Sequence, residues 1–230
     1  MSVRGGALVA AGILVLALTG CATAGPAASP SGVPAGEMDI QAGWLDGGRM
    51  IALVTPVSVT CAPIVSEVEV SAEGVLQVMI EDAEGVPCTD DDAPRVVAVS
   101  LPEGTDPARA LTVRATYGID SWGETALDAY AGDPVAEFTP SAGWVGDGLF
   151  AILTWGSSTC VPAIESAEPS GTDAVTVTFA TPAADRACTM DMAPRVVLAS
   201  VNGVEGGASV MLTLTGGSDF PEPVTVPIAG

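Results

Sequence analysis

The stretch Cys88-Thr89-Asp90-Asp91-Asp92-Ala93-Pro94-Arg95-Val96-Val97 returns 100 residues later as Cys188-Thr189-Met190-Asp191-Met192-Ala193-Pro194-Arg195-Val196-Val197. Outward from it, Thr60-Cys61-Ala62-Pro63 matches Thr159-Cys160-Val161-Pro162, and Gly43-Trp44-Leu45-Asp46-Gly47-Gly48 matches Gly143-Trp144-Val145-Gly146-Asp147-Gly148. The order is the same in both halves, so the chain carries a duplicated unit. Trp44 and Trp144 lie 100 apart, Cys61 and Cys160 99 apart, and Cys88 and Cys188 100 apart. At an offset of 99, Leu76, Val78 and Ile80 fall on Val175, Val177 and Phe179, two apolar rows of period 2. At 100, Val78 would fall on Thr178, and a one-residue slip turns a strand inside out. The length changes therefore belong in turns, near 56–60 and 82–87.

Candidate strands lie at 50–57, 64–70, 75–81, 95–101 and 110–116 in the first copy, and at 150–155, 163–167, 175–180, 195–201 and 209–215 in the second. They are short, rich in Val and Thr, and separated by Gly, Pro, Asp and Ser. No stretch after the amino-terminal segment sustains a period of 3.6, although 123–131 reads as a short helix between the copies. The fold class expected is all-β: two tandem small antiparallel domains, each a β-sandwich or open barrel with one disulfide. The organisation expected is a signal peptide at 1–20, a tether at 21–37, a β domain at 38–118, a connector at 119–138, a second β domain at 139–217 and a tail at 218–230, the tail being an edge strand or an extended end. Trp44 and Trp144, in Gly-rich stretches read as turns, are expected to close the open end of each core, or else to stand exposed as anchors for a sugar or protein.

The amino terminus has one basic residue, Arg4, then an apolar run over 7–18, then Leu18-Thr19-Gly20-Cys21. A basic start, a short apolar core and small residues describe an export signal, and the run falls short of the ~20 residues of a bilayer span. Leu18-Thr19-Gly20-Cys21 resembles the lipobox of bacterial lipoproteins. That resemblance, confined to the first 21 residues, implies a diacylglycerol on the Cys21 sulfur, cleavage just before it, and a mature chain held by lipid on the extracellular face of the cell membrane. The duplicated units look like tandem-repeat lipoproteins of high-GC Gram-positive bacteria, a likeness that implies a habitat and no mechanism. Five cysteines in an exported chain leave one over for modification, which Cys21 fills. Cys61, Cys88, Cys160 and Cys188 then read as two disulfides. Duplication implies equivalent pairings, Cys61 with Cys88 and Cys160 with Cys188, since pairing between copies would break the symmetry.

Past the expected cleavage site, six arginines face 28 carboxylates with no lysine and no histidine, a side-chain charge of −22. Such a charge repels nucleic acid and anionic lipid, so nucleic-acid partners are excluded and membrane attachment falls to the lipid on Cys21. Without histidine, Ser–His and Cys–His nucleophilic systems and histidine-ligated zinc are excluded; without lysine, so is a Schiff base. No cofactor is expected.

Arg95 and Arg195 occupy the same place in each copy, close to Asp91 and Asp191. Each arginine reads either as a clamp for a ligand carboxylate or phosphate, or as the salt-bridge partner of its nearby aspartate. Asp90-Asp91-Asp92 offers oxygen ligands for calcium, but copy two reads Met190-Asp191-Met192. Those methionines offer thioethers for Cu(I), or read as turn or core filling. No metal site is assigned. The function expected is a non-catalytic binding or structural module of the cell surface, partnered by an envelope protein or glycan. The alternatives are a glycan hydrolase working through paired carboxylates and a calcium- or copper-binding lipoprotein, so enzymatic activity stays open.

Overall fold

The apolar runs Ile51-Ala52-Leu53-Val54 and Phe150-Ala151-Ile152-Leu153 do not alternate, and every residue in both is buried. A strand with two apolar faces must be covered on both sides, and this requirement organises the molecule. A computed structural model describes residues 36–230, apart from 84, 86, 87, 90 and 208. Cys21, the signal, nearly all of the expected tether and Asp90 lie outside the described residues.

The first copy contains β1 (Gly36–Glu37), β2 (Gln41–Leu45), β3 (Met50–Val57), β4 (Pro63–Val70), β5 (Val75–Asp82), β6 (Ala93–Ser100), β7 (Leu111–Tyr117) and β8 (Ser121–Leu127). The second contains β9 (Ser141–Gly146), β10 (Leu149–Gly156), β11 (Ile164–Gly171), β12 (Ala174–Phe179), β13 (Ala193–Ser200), β14 (Val210–Gly216) and β15 (Phe220–Ala229). All ten expected strands are present. Leu76, Val78 and Ile80 point inward on β5 as Val175, Val177 and Phe179 do on β12, as the 99-residue offset requires.

The chain passes four times from an inner layer to an outer one. It runs β2–β3 to β4–β5, β6 to β7–β8, β9–β10 to β11–β12, and β13 to β14–β15. Successive passes lay β5 beside β7, and β12 beside β14, in parallel. The inner strands form β2-β3-β6 and β9-β10-β13; the outer ones form β1-β8-β7-β5-β4 and β11-β12-β14-β15. β15 reaches across to pair with β9 at Ile228 and Ala229, joining the layers of copy two into one seven-stranded sheet.

The expectation of two tandem sandwich or open-barrel domains is thereby corrected: the chain is an all-β solenoid of four turns. Two apolar cores lie within the copies, and a third lies between them. The third is built from Leu45, Met50, Ala52 and Val54 on one side and Val145, Ala151 and Leu153 on the other. Separate domains would leave this surface in water, and a contiguous apolar face of that kind is not left exposed.

The two Gly-Trp pairs sit at the contact between copies, on β2 and β9 rather than in turns. A Cβ on Gly43 would lie 2.2 Å from the Trp144 carbonyl oxygen, and one on Gly143 would lie 2.0 Å from that of Trp44. The relation is reciprocal, so the copies meet about a pseudo-twofold axis. Both tryptophans are buried; Trp44 meets Tyr130 edge-on at 6.0 Å, and Trp144 meets Phe150 at 5.5 Å.

One further expectation changes, and one alternative is decided. Residues 121–127 are β8, antiparallel to β7, where a helix was expected over 123–131. Residues 220–229 are β15, so most of the expected tail is a strand, paired with β14 over Val224–Ile228 and again at Phe220 across a bulge. Pro221 and Pro223 fall in the bulge, where β15 has no partner on β14, and Pro227 stands opposite Met211; on the other side of β15, Ile228 and Ala229 pair with β9.

Replacing Gly43 or Gly143 by Ala forces backbone against backbone in a packed interior, at a cost of about 2–3 kcal/mol. The expected result is a Tm lowered by roughly 5–10 °C, given ~2–4 °C per kcal/mol in a chain of this size. Calorimetry of each variant checks it; an unchanged Tm would refute the close approach.

Candidate functional site

The duplicated Thr-Cys and Cys-Thr-x-Asp segments meet at the end of each copy. Cys61 is bonded to Cys88 and Cys160 to Cys188, with Cα–Cα separations of 5.3 and 5.6 Å. Each bridge closes a loop of under 30 residues, worth about 3–4 kcal/mol by loss of unfolded-chain entropy.

The aspartates fasten these loops rather than meeting the arginines. Asp91 accepts the Val59 N–H at 3.3 Å and the hydroxyls of Thr89 and Ser58. Asp191 accepts the Ser158 N–H at 3.2 Å and the Thr189 hydroxyl. The Thr89 hydroxyl above all holds Asp91 below the usual carboxylate range. The hydroxyls of Thr189 and Ser158 and the Ser158 N–H draw Asp191 down to about 2. Ser58, Thr60 and Thr89, and in copy two Ser157, Thr159 and Thr189, interlink their hydroxyls around the bridge.

The expected pairs Arg95–Asp91 and Arg195–Asp191 are therefore corrected. Arg195 is 5% exposed and turns inward. Its guanidinium donates to the carbonyls of Trp155 at 2.9 Å and Cys160 at 3.0 Å, and pairs with Asp219 at 2.7 Å. It thus ties the disulfide loop to the end of β10 and to the turn between β14 and β15. Arg95 is half-buried, and no ion pair holds it among the described residues.

One position explains the difference between the copies. Gly156 lies against the Arg195 guanidinium, where a Cβ would come within 2.8 Å of Cζ. The ladders β3–β6 and β10–β13 place Val57 opposite Ala93 as Gly156 stands opposite Ala193. Val57 is fully buried, so its side chain fills in copy one the space that receives the guanidinium in copy two. Asp219 went unseen in the sequence, although the Gly-x-Asp of Gly217-Ser218-Asp219 repeats Gly118-Ile119-Asp120 at the 99-residue offset.

Two concavities accompany these contacts. One, of about 300 Å³, lies beside the second disulfide and is lined by Arg186, Arg195, Phe179 and Asp219. The other, of about 550 Å³, runs between the copies, lined by Trp44, Tyr130, Val135 and Ile228 with Asp133 and Thr225. Trp44 Nε1 donates to the Asp128 carbonyl and the Tyr130 hydroxyl to the Asp133 carbonyl, both at 2.8 Å. Burial and the nearby Asp133 push the Tyr130 phenol up. Arg49 pairs with Asp46 and donates to the Val135 carbonyl, which pins the connector over the first copy.

The metal readings gain little. Cys61, Asp82 and Cys88 cluster, but both sulfurs belong to the disulfide, and it is the thiolate that binds metal. Burial pushes the Asp82 carboxyl up, and it accepts the Tyr117 hydroxyl. Met190 and Met192 are exposed, which corrects their reading as core filling. No family model, curated protein or solved structure matches this chain.

Removing Arg195 strands Asp219 and two carbonyls, so Arg195→Met is expected to cost about 3 kcal/mol and Arg95→Met under about 0.5 kcal/mol; equal denaturant midpoints would contradict the asymmetry. Asp191 gives a pH signature. Its folded pKa of about 2 lies below the ordinary ~3.9, so its contribution is complete above about pH 4 and is lost as pH falls towards 2. Asp191→Asn should flatten stability against pH across that window, and an unaltered acid limb would count against the assignment.

Proposed function

We propose that this chain is a lipid-anchored, non-catalytic binding module of the cell envelope, holding a protein or glycan partner in the groove between its two copies. The observation that carries the reading is the division of labour among side chains. Arg49, Asp91, Asp191, Arg195 and Asp219 are engaged in fastening loops. The groove, by contrast, is lined by aromatic rings, apolar side chains and the β15 strand. Sites of that composition bind by buried apolar area, with a few polar groups fixing orientation. The raised carboxyl, Asp82, lies beside the Tyr117 hydroxyl and the disulfide, which supports neither role of a carboxylate pair in glycan hydrolysis. Lipid on Cys21 places the module on the outer face of the membrane.

The address is tested by the mass of the mature chain, expected to begin at Cys21 with added diacylglycerol. The binding role is tested by titrating the protein with soluble peptidoglycan fragments and with fractionated envelope proteins. Binding that Tyr130→Ala and Val135→Asp both weaken at least tenfold, with the fold intact, supports the groove. Binding indifferent to both variants, or cleavage of the glycan, overturns it.

A further inference from the structure

The turn between β7 and β8 projects Ile119, which is 96% exposed, and β8 then carries Trp122, 42% exposed. The two side chains line one shallow surface concavity with Arg114 and Thr116, so they form a joint apolar spot rather than two scattered residues. β1 pairs with this hairpin: Gly36 stands opposite Ser121 and Glu37 opposite Trp122, in parallel. The Gly36 N–H donates to the Asp120 carbonyl at 2.9 Å. Parallel pairing puts the amino-terminal end of β1 at the same end of the sheet as the 118–120 turn. The described chain therefore starts beside the exposed tip.

Copy two provides an internal control. At the 99-residue offset, Ser218 replaces Ile119 and Pro221 replaces Trp122, and no counterpart of β1 pairs with β15. The apolar pair occurs in the copy where the chain begins and is missing from the other.

We propose that Ile119 and Trp122 rest in the headgroup layer of the bilayer that holds the chain, so that one end of the solenoid faces the lipid. This rests on the reading of Cys21 as the lipid-bearing residue. Cys21 lies 15 residues before Gly36, and a chain of that length reaches at most about 50 Å. Anchoring within that reach raises the effective concentration of the tip at the surface, which populates a contact too weak to hold by itself. Tryptophan favours the membrane–water boundary, with its ring among apolar chains and its N–H in the headgroups. The charged groups around the tip set the depth. Asp120, Glu37 and Asp39 keep it out of the hydrocarbon. Glu124 is neutralised by Arg114, whose guanidinium lies 6.0 Å from the Trp122 ring. The acidic molecule selects zwitterionic rather than anionic lipid.

The test uses the lipid-bearing full chain in phosphatidylcholine vesicles, with and without bromine on the acyl chains near the headgroup. Flotation with the vesicles reports the anchor, and bromine quenching of tryptophan emission reports the contact. The expected result is quenching that Trp122→Phe abolishes and Ile119→Asp reduces at least twofold, with flotation unchanged in both. Full flotation without quenching overturns the contact while leaving the anchor intact, as does quenching that survives Trp122→Phe. Shielding of Trp122 from aqueous quencher by a second copy or a soluble glycan, without vesicles, also overturns it. Failure to float removes the anchor, and the proposal with it.

Discussion

The contact on which the structure depends is between two backbones. Gly43 and Gly143 lack the side-chain atom that would strike the carbonyl of the opposing tryptophan, so β2 and β9 approach as closely as two strands without ladder pairing can. That approach lets Leu45, Val54, Val145 and Leu153 close a core between the copies. The central strand of each inner sheet is apolar on both faces over 51–54 and 150–153 and needs a cover on both. Within a copy the outer layer covers one face; the duplicated copy covers the other. Duplication here supplies half of a shared interior rather than a second free domain.

The copies have since diverged away from that interior. Where Val57 fills its site, Arg95 is left half-buried; where Gly156 leaves space, Arg195 is drawn inside and joined to Asp219. A buried arginine is costly unless its donors find acceptors; two carbonyls and one carboxylate take up the terminal nitrogens of Arg195, while its Nε is buried without a partner among the described residues. The outer faces differ as well: Arg114 and Glu124 pair across β7 and β8, whereas Thr213 stands opposite Thr225 across β14 and β15. The inner surfaces stayed alike because each serves as the other's complement; the outer ones faced no such demand.

Much of this was legible in the sequence, and the failures share a cause. Side-chain alternation located the strands at 75–82 and 174–179 and fixed their inward faces, because that signal is local. Symmetry alone paired the cysteines. Gly43-Trp44 read as a turn because glycine is depleted in strands, and the need for close approach comes from residues a hundred positions away. The unbroken runs at 51–54 and 150–153 were the available sign of two-sided burial. For 216–230 the three prolines leave the choice between an edge strand and an extended end, because proline counts against a central strand; pairing with β14 decides it. Arg195 was matched to the nearest aspartate in sequence; the true partner, 24 residues on, is brought close by the β14–β15 turn.

The prolines of β15 have an effect beyond this one chain. An open strand edge ordinarily offers a neighbouring molecule a full set of donors and acceptors, and sheets then grow from molecule to molecule. Along 221–227 three prolines withhold their N–H groups, so an incoming strand meets a broken row of donors. Crowding many copies together therefore brings them into contact without giving fibril growth a template on this side.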